Sequence, residues 1–135
     1  MAVADGTYKK GDLNDLLRAI GATSHYDIET GIPSVNELGE WGDPPLTIVI
    51  SWNDIDAIRL LLDNGADVNA RGDMENTALH KAALLGLADV VRFLLERGAD
   101  TALRNHDGDA PLDIAKRLGH DDIVRILNAG ASPSV

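Results

Sequence analysis

The sequence predicts an all-α solenoid of about three helix-turn-helix repeats with protruding hairpin tips, preceded by a divergent N-terminal capping segment. Three observations predict it. Leu46, Leu79 and Leu112 stand 33 residues apart, inside the related strings Pro44-Pro45-Leu46-Thr47, Thr77-Ala78-Leu79-His80 and Ala110-Pro111-Leu112-Asp113. The same shift carries Ile58 onto Val91 and Val124, Leu60-Leu61-Leu62 onto Phe93-Leu94-Leu95 and then Ile126 and Leu127, and Gly65-Ala66-Asp67 onto Gly98-Ala99-Asp100. Finally, 135 residues with 44% apolar and 25% charged side chains suit one soluble folded domain.

Taken in order, residues 1–38 fit the period least. Leu13, Leu16, Leu17 and Ile20 have helical spacing behind Asp12 as a cap, which reads as a degenerate capping helix ending at Gly21-Ala22. Aligning Gly21 with Gly65 gives a separation of 44, longer than the repeat, and Ser34-Val35-Asn36-Glu37 reads as a capping box opening a short helix in that excess. Repeats are then expected at 39–71, 72–104 and 105–131, with 132–135 a loose tail. In each repeat a first helix starts at Pro45, Ala78 or Pro111, where an unpaired N–H costs nothing. A break at Asn53-Asp54, Gly86 or Gly119-His120 precedes the second helix, whose apolar residues (Ile55, Ile58, Leu61 and Leu62 in the first repeat) share one broad face. Gly65 and Gly98 suit left-handed helix ends, and Asp67, Asn69, Asp73 and Asn76 supply turn chemistry for a hairpin. Asp121, Asp122, Arg125 and Asn128 interrupt the last apolar face as an end cap would.

These residues resemble the ankyrin-repeat family, with its threonine-proline-leucine-histidine start, glycine-histidine break and glycine-alanine-aspartate end. The resemblance covers residues 39–131. The middle repeat matches through Thr77, Leu79, His80, Ala82, Ala83, Gly86 and Gly98-Ala99-Asp100, and the last through Gly108, Pro111, Leu112, Ala115 and Gly119-His120. Departures gather in the first repeat, where Pro44, Asn53 and the bulky Val49 and Ile50 replace the threonine, the glycine and the paired small alanines.

Composition excludes several functions. The net charge of −10, from 22 acidic against 12 basic residues, disfavours a nucleic-acid partner, which needs Lys and Arg on phosphates. The absence of cysteine removes disulfides and thiolate metal sites, and no run is long and apolar enough for a membrane span or a signal peptide, so a cytoplasmic location is expected. No catalytic group, metal site or cofactor is expected. The resemblance makes His80 a partner of Thr77 and neighbouring backbone, and His120 a helix-break residue; His25 and His106 lack zinc-site spacing. Asp63-Asn64-Gly65-Ala66-Asp67 and Asn105-His106-Asp107-Gly108-Asp109 lack the sixth-position glycine and twelfth-position glutamate of a calcium loop. Arg71-Gly72-Asp73 reads as a chance match to an integrin tripeptide, and Asn69, which resembles an asparagine hydroxylated in some repeats of the family, reads as a turn residue.

Function therefore rests on binding another protein, as a monomer or within a heterocomplex. The resemblance places the partner on the concave surface of hairpin tips and first helices, here Glu40, Trp41, Asp43, Ser51 and Trp52, then Arg71, Asp73, Met74, Asn76, Leu84 and Leu85, then Arg104, His106, Asp107, Asp109 and Arg117, with Leu118 at the margin. Trp is enriched among binding hot spots, each of which is worth about 2 kcal/mol or more. The alternatives are that Trp41 covers the N-terminal segment and that Trp52 belongs to the core. Residues 1–71 hold 12 acidic against five basic side chains and the remainder ten against seven, so the acid concentrates where the tryptophans are. An apolar strip in an acidic field points to a basic protein partner. Two classes fit: an adaptor or scaffold, and an inhibitor of a basic enzyme in the manner of an immunity protein against a nuclease toxin. A chain of repeats alone, with no second module, leans toward the inhibitor.

Overall fold

Most of the helices begin where a side-chain cap satisfies an orphan N–H or a proline removes one, and these starts divide the chain. The computed structural model describes residues 8–23, 33–39 and 42–131, and within them forms seven α-helices and no strand. Helix α1 (Leu13–Thr23) starts behind Asp12, whose carboxylate accepts the Asp15 N–H at 3.0 Å. Helices α2 (Pro45–Ile50) and α6 (Pro111–Leu118) open on proline. Helix α4 (Ala78–Leu85) opens behind Thr77, whose hydroxyl accepts the His80 N–H at 3.3 Å. The second helices are α3 (Ile55–Asp63), capped by Asp54, α5 (Ala88–Glu96) and α7 (Asp121–Ala131). First and second helices part at a left-handed residue, with φ of 53° at Asn53 and 75° at both Gly86 and Gly119. Asparagine tolerates that conformation better than other side chains, so it stands in for the glycine of the later repeats.

Packing follows the repeat. Within repeats α2 meets α3, α4 meets α5 and α6 meets α7; between repeats α2 meets α4, α4 meets α6 and α5 meets α7. One apolar core runs through all of them, from Leu16 and Ile20 through Leu46, Ile58 and Leu61 to Leu79, Leu94, Ile123 and Leu127. Helix α1 closes the first end by packing on α2 and α3. The whole of α2 is consequently buried, Val49 and Ile50 included, whereas α4 and α6 keep Lys81, Lys116 and Arg117 out of the core. A helix apolar on every side is one covered on every side. At the other end Asp121, Asp122, Arg125 and Asn128 of α7 are exposed.

The hairpin tips are closed by backbone bonds from Gly39 N–H to the Asp43 carbonyl, Gly72 to Asn76 and Asn105 to Asp109 at 2.8–2.9 Å, and the middle one winds a 3-10 turn over Asp73–Glu75. One expectation needs correction. Residues 34–37 close one turn rather than opening a helix. The Glu37 carboxylate accepts the Ser34 N–H at 2.8 Å, but Asn36 is drawn away by the next loop, donating to the Gly65 carbonyl at 3.0 Å and accepting from the Asp67 N–H at 2.9 Å. Asn69, 33 residues later, likewise accepts the Asp100 N–H at 2.8 Å. The repeat register thus reaches back to residue 36.

Because Leu94 is fully buried in the shared core, Leu94→Ala should destabilise the chain by about 2–5 kcal/mol. A lower urea midpoint at unchanged denaturant slope is the expected reading; an unchanged midpoint would overturn this account of the core.

Candidate partner-binding groove

The three loop tips and the first helices enclose a groove of about 360 Å³ along one side of the stack. Of the residues expected at a binding surface, it gathers Asp43, Asp73, Asn76, Leu84, Asp107, Asp109 and Arg117, together with Leu118. It adds Thr47, Thr77, His80, Lys81, Asn105 and Ile114, which the sequence reading did not select. Lys81 precedes Leu84 by one helical turn, and Ile114 precedes Arg117 and Leu118 likewise; that spacing was the available signal.

The remaining candidates are placed elsewhere. Trp52 is half-buried and packs against the core, and the exposed Ser51 donates its hydroxyl to the Ile48 carbonyl at 2.6 Å. Arg71 and Arg104 work inside the tips. The Arg71 guanidinium donates to the carbonyls of Glu75 at 3.2 Å and Arg104 at 2.7 Å, and Arg104 repeats the first of these bonds to Gly108 at 2.8 Å. Met74, Leu85 and His106 are exposed outside the groove lining, with the His106 N–H donated to the Met74 carbonyl at 2.9 Å. Glu40, Trp41 and His25 lie outside the described residues.

Polar groups of the groove wall are bonded from repeat to repeat. The Asp43 carboxylate accepts the Asp73 N–H at 3.0 Å and the Thr47 hydroxyl at 3.3 Å. A Cβ at Gly72 would collide with that carboxylate, which is why the position is glycine. One repeat on, Asn105 donates its amide to the Asn76 side chain at 2.9 Å, and its own carbonyl accepts the N–H groups of Asp107 and Asp109 at 3.0 Å. Arg117 bonds Asp109 at 2.8 Å, and this bond holds the Asp109 carboxyl below its usual range and the Arg117 guanidinium above its own.

His80 is fixed as the neutral ring. Its Nδ1 accepts the Thr77 N–H at 3.1 Å and lies 2.8 Å from the Thr77 hydroxyl, so the proton belongs on Nε2, which donates to the Asp109 carbonyl at 2.8 Å. Burial is the main reason its pKa is lowered from 6.5, the bonds from Asp109 and Leu103 opposing it. His120 has the structural place expected, its ring lying against Gly86, where a Cβ would come within 3.0 Å. Among the described residues no three His, Asp or Glu side chains converge as a metal ion would need, and no helix is long and apolar enough to cross a membrane.

The sequence that builds this stack matches a known protein family. A family model described as ankyrin repeats, in three copies, matches residues 7–105 and 75–135. The chain belongs to the ankyrin-repeat family. The match begins at residue 7, inside the N-terminal segment that fits the 33-residue period least, consistent with the Asn36 bond to the next loop. A fowlpox virus (strain NVSL) protein named for ankyrin repeats is 43% identical over 60 residues, which are 43% of this chain and 12% of the viral one. The match thus spans about an eighth of that relative. Ankyrin repeats in general mediate protein–protein interactions and are typically non-catalytic.

The lowered pKa of His80 fixes a sign. Above pH 6.5 the ring is neutral in folded and unfolded chains alike and its contribution is complete; as pH falls through 6.5 and then through the lower folded value, the unfolded chain binds a proton that the native ring resists. Stability should therefore fall on acidification from about pH 6.5 to pH 5. His80→Gln should cost about 1–3 kcal/mol at neutral pH and flatten that fall, as read by urea melts at several pH values. An unaltered slope in the variant would overturn the assignment.

Proposed function

We propose that the chain is a non-catalytic module that binds a basic protein partner in this groove. The observation that carries the reading is the exposure of Leu84 (52%) and Leu118 (47%) on α4 and α6, in a groove whose other wall holds Asp43, Asp73 and Asp107. Exposed apolar side chains scattered singly need no explanation, but leucines sharing one concave surface mark a contact site. Counting all lining residues, four carboxylates face two cations, Lys81 and Arg117, and Asp109 and Arg117 neutralise each other. The excess favours a cationic partner. The acidic first half of the sequence extends that field and supports fast, steered association. We place the chain in the cytoplasm, where a protein with no cysteine needs no oxidising environment, as a monomer that enters a heterocomplex.

Capture from a lysate on wild-type and Leu84→Asp chains, followed by mass spectrometry, tests the reading. Proteins retained by the wild type and lost by the variant should be basic. With a purified partner, Leu84→Asp should weaken binding by about 2 kcal/mol or more while changing stability by less than about 1 kcal/mol. Association should slow as salt rises, with dissociation changing much less; salt-independent association would remove the electrostatic argument. A bound enzyme that loses activity makes the chain its inhibitor, and one that stays active makes it an adaptor.

A further inference from the structure

Resting on the binding reading above, the groove also has a composition that selects the backbone conformation of its ligand. An extended peptide brings N–H and C=O groups that need partners along its length, which is why such ligands add to a sheet edge or to a row of free backbone groups. None of the described elements is a strand. The tips turn their backbone inward: Gly72 bonds Asn76, Asn105 bonds Asp109, and the His106 N–H is given to Met74. The Asp109 carbonyl is taken by His80, and the carbonyls of Glu75, Arg104 and Gly108 by Arg71 and Arg104. Polyproline ligands need aromatic-lined grooves, and among the described residues no aromatic ring besides the His80 imidazole lines this one.

What the groove offers is side chains, and a ligand that satisfies its own backbone fits that offer. Leu84 and Leu118 stand near the C-terminal ends of α4 and α6, and Ile114 lines the groove one turn before Leu118. Packed helices lie about 8–10 Å apart, and seven residues of an α-helix rise about 10.5 Å. Anchors at i and i+7 of a ligand helix therefore match neighbouring repeats, with i+4 falling between them. The acidic wall of Asp43, Asp73 and Asp107 then faces the flank of that helix. We infer that the groove binds a basic amphipathic α-helix of the partner protein, apolar anchors against Leu84, Ile114 and Leu118 and Lys or Arg residues toward the acidic tips.

The test uses synthetic peptides of about 18 residues, enough for five helical turns. One has leucines at i, i+4, i+7 and i+11, lysines on the flanks and α-aminoisobutyrate to hold the helix; a second has the same residues scrambled; a third has two central prolines. Titration with backbone NMR should show the first peptide shifting Leu84, Ile114 and Leu118, and scrambling, proline or Leu118→Asp in the protein should each weaken it about tenfold or more. Equal binding of the proline peptide in the groove would overturn the helix inference and leave the binding reading standing. Shifts confined to other surfaces, unaffected by Leu118→Asp, would overturn both. Absence of binding by all peptides overturns the helix inference, the lysate capture remaining the separate test of the binding reading. Concentration-dependent self-association of the chain alone, abolished by Leu118→Asp, would assign the groove to a second copy and overturn it likewise.

Discussion

Helices as short as those of each pair here cannot bury their apolar faces alone. Everything else in the molecule depends on that constraint. Leu94 is buried on α5, which packs on α7 of the next unit, and the stack must end on something that is not another repeat. The chain ends it in two ways. At one end α1 supplies Leu16 and Ile20, and α2 accordingly becomes apolar on every side; at the other, α7 turns carboxylates, Arg125 and Asn128 outward.

Apolar contact alone would let the units slide, and a second set of interactions fixes their register. Side chains reach the backbone one repeat away: Asn36 to Asp67, Asn69 to Asp100, Asp43 to Asp73, Arg71 to Arg104 and His80 to Asp109. Each such bond contributes about 1 kcal/mol, and a displaced repeat loses several at once. His80 is the most constrained of them because one ring caps α4 through Thr77 and holds the next tip through Asp109, which only the neutral tautomer can do. Salt bridges add little beside this. Arg97 with Asp63, and the Arg59 and Arg97 guanidinium groups over Phe93, are partly open to solvent.

The bonds that fix the register also shape the groove. They occupy polar groups of the tips, and the groove offers Leu84, Ile114 and Leu118 of the helices beside the carboxylates of Asp43, Asp73 and Asp107. Arg71, Gly72 and Asp73 illustrate the effect. Their order in the chain spells a recognition tripeptide, but the guanidinium is bonded to two carbonyls and the glycine is pressed against Asp43. Local sequence put these residues at an exposed turn; neighbouring repeats decided what they do there.

Periodicity by itself determined the family, the six paired helices and their starts, because a 33-residue shift, Pro45, Thr77 and Pro111, and a left-handed break each act within a few residues of themselves. The family resemblance, carried along the repeat, implied that Asp43, Asp73, Leu84 and Arg117 share one side, and all four line the groove. Asn36 was readable by the same shift from Asn69, and was missed because its four-residue neighbourhood spells a helix cap. What only the tertiary structure decided is which of those residues are already engaged. The inward turn of Arg71 and Arg104, the packing of Trp52 on the core, and the groove places of His80, Lys81 and Ile114 depend on distances between units remote in the chain. No pattern within one repeat contains those distances, because they are set by how closely the buried side chains let neighbouring helices approach.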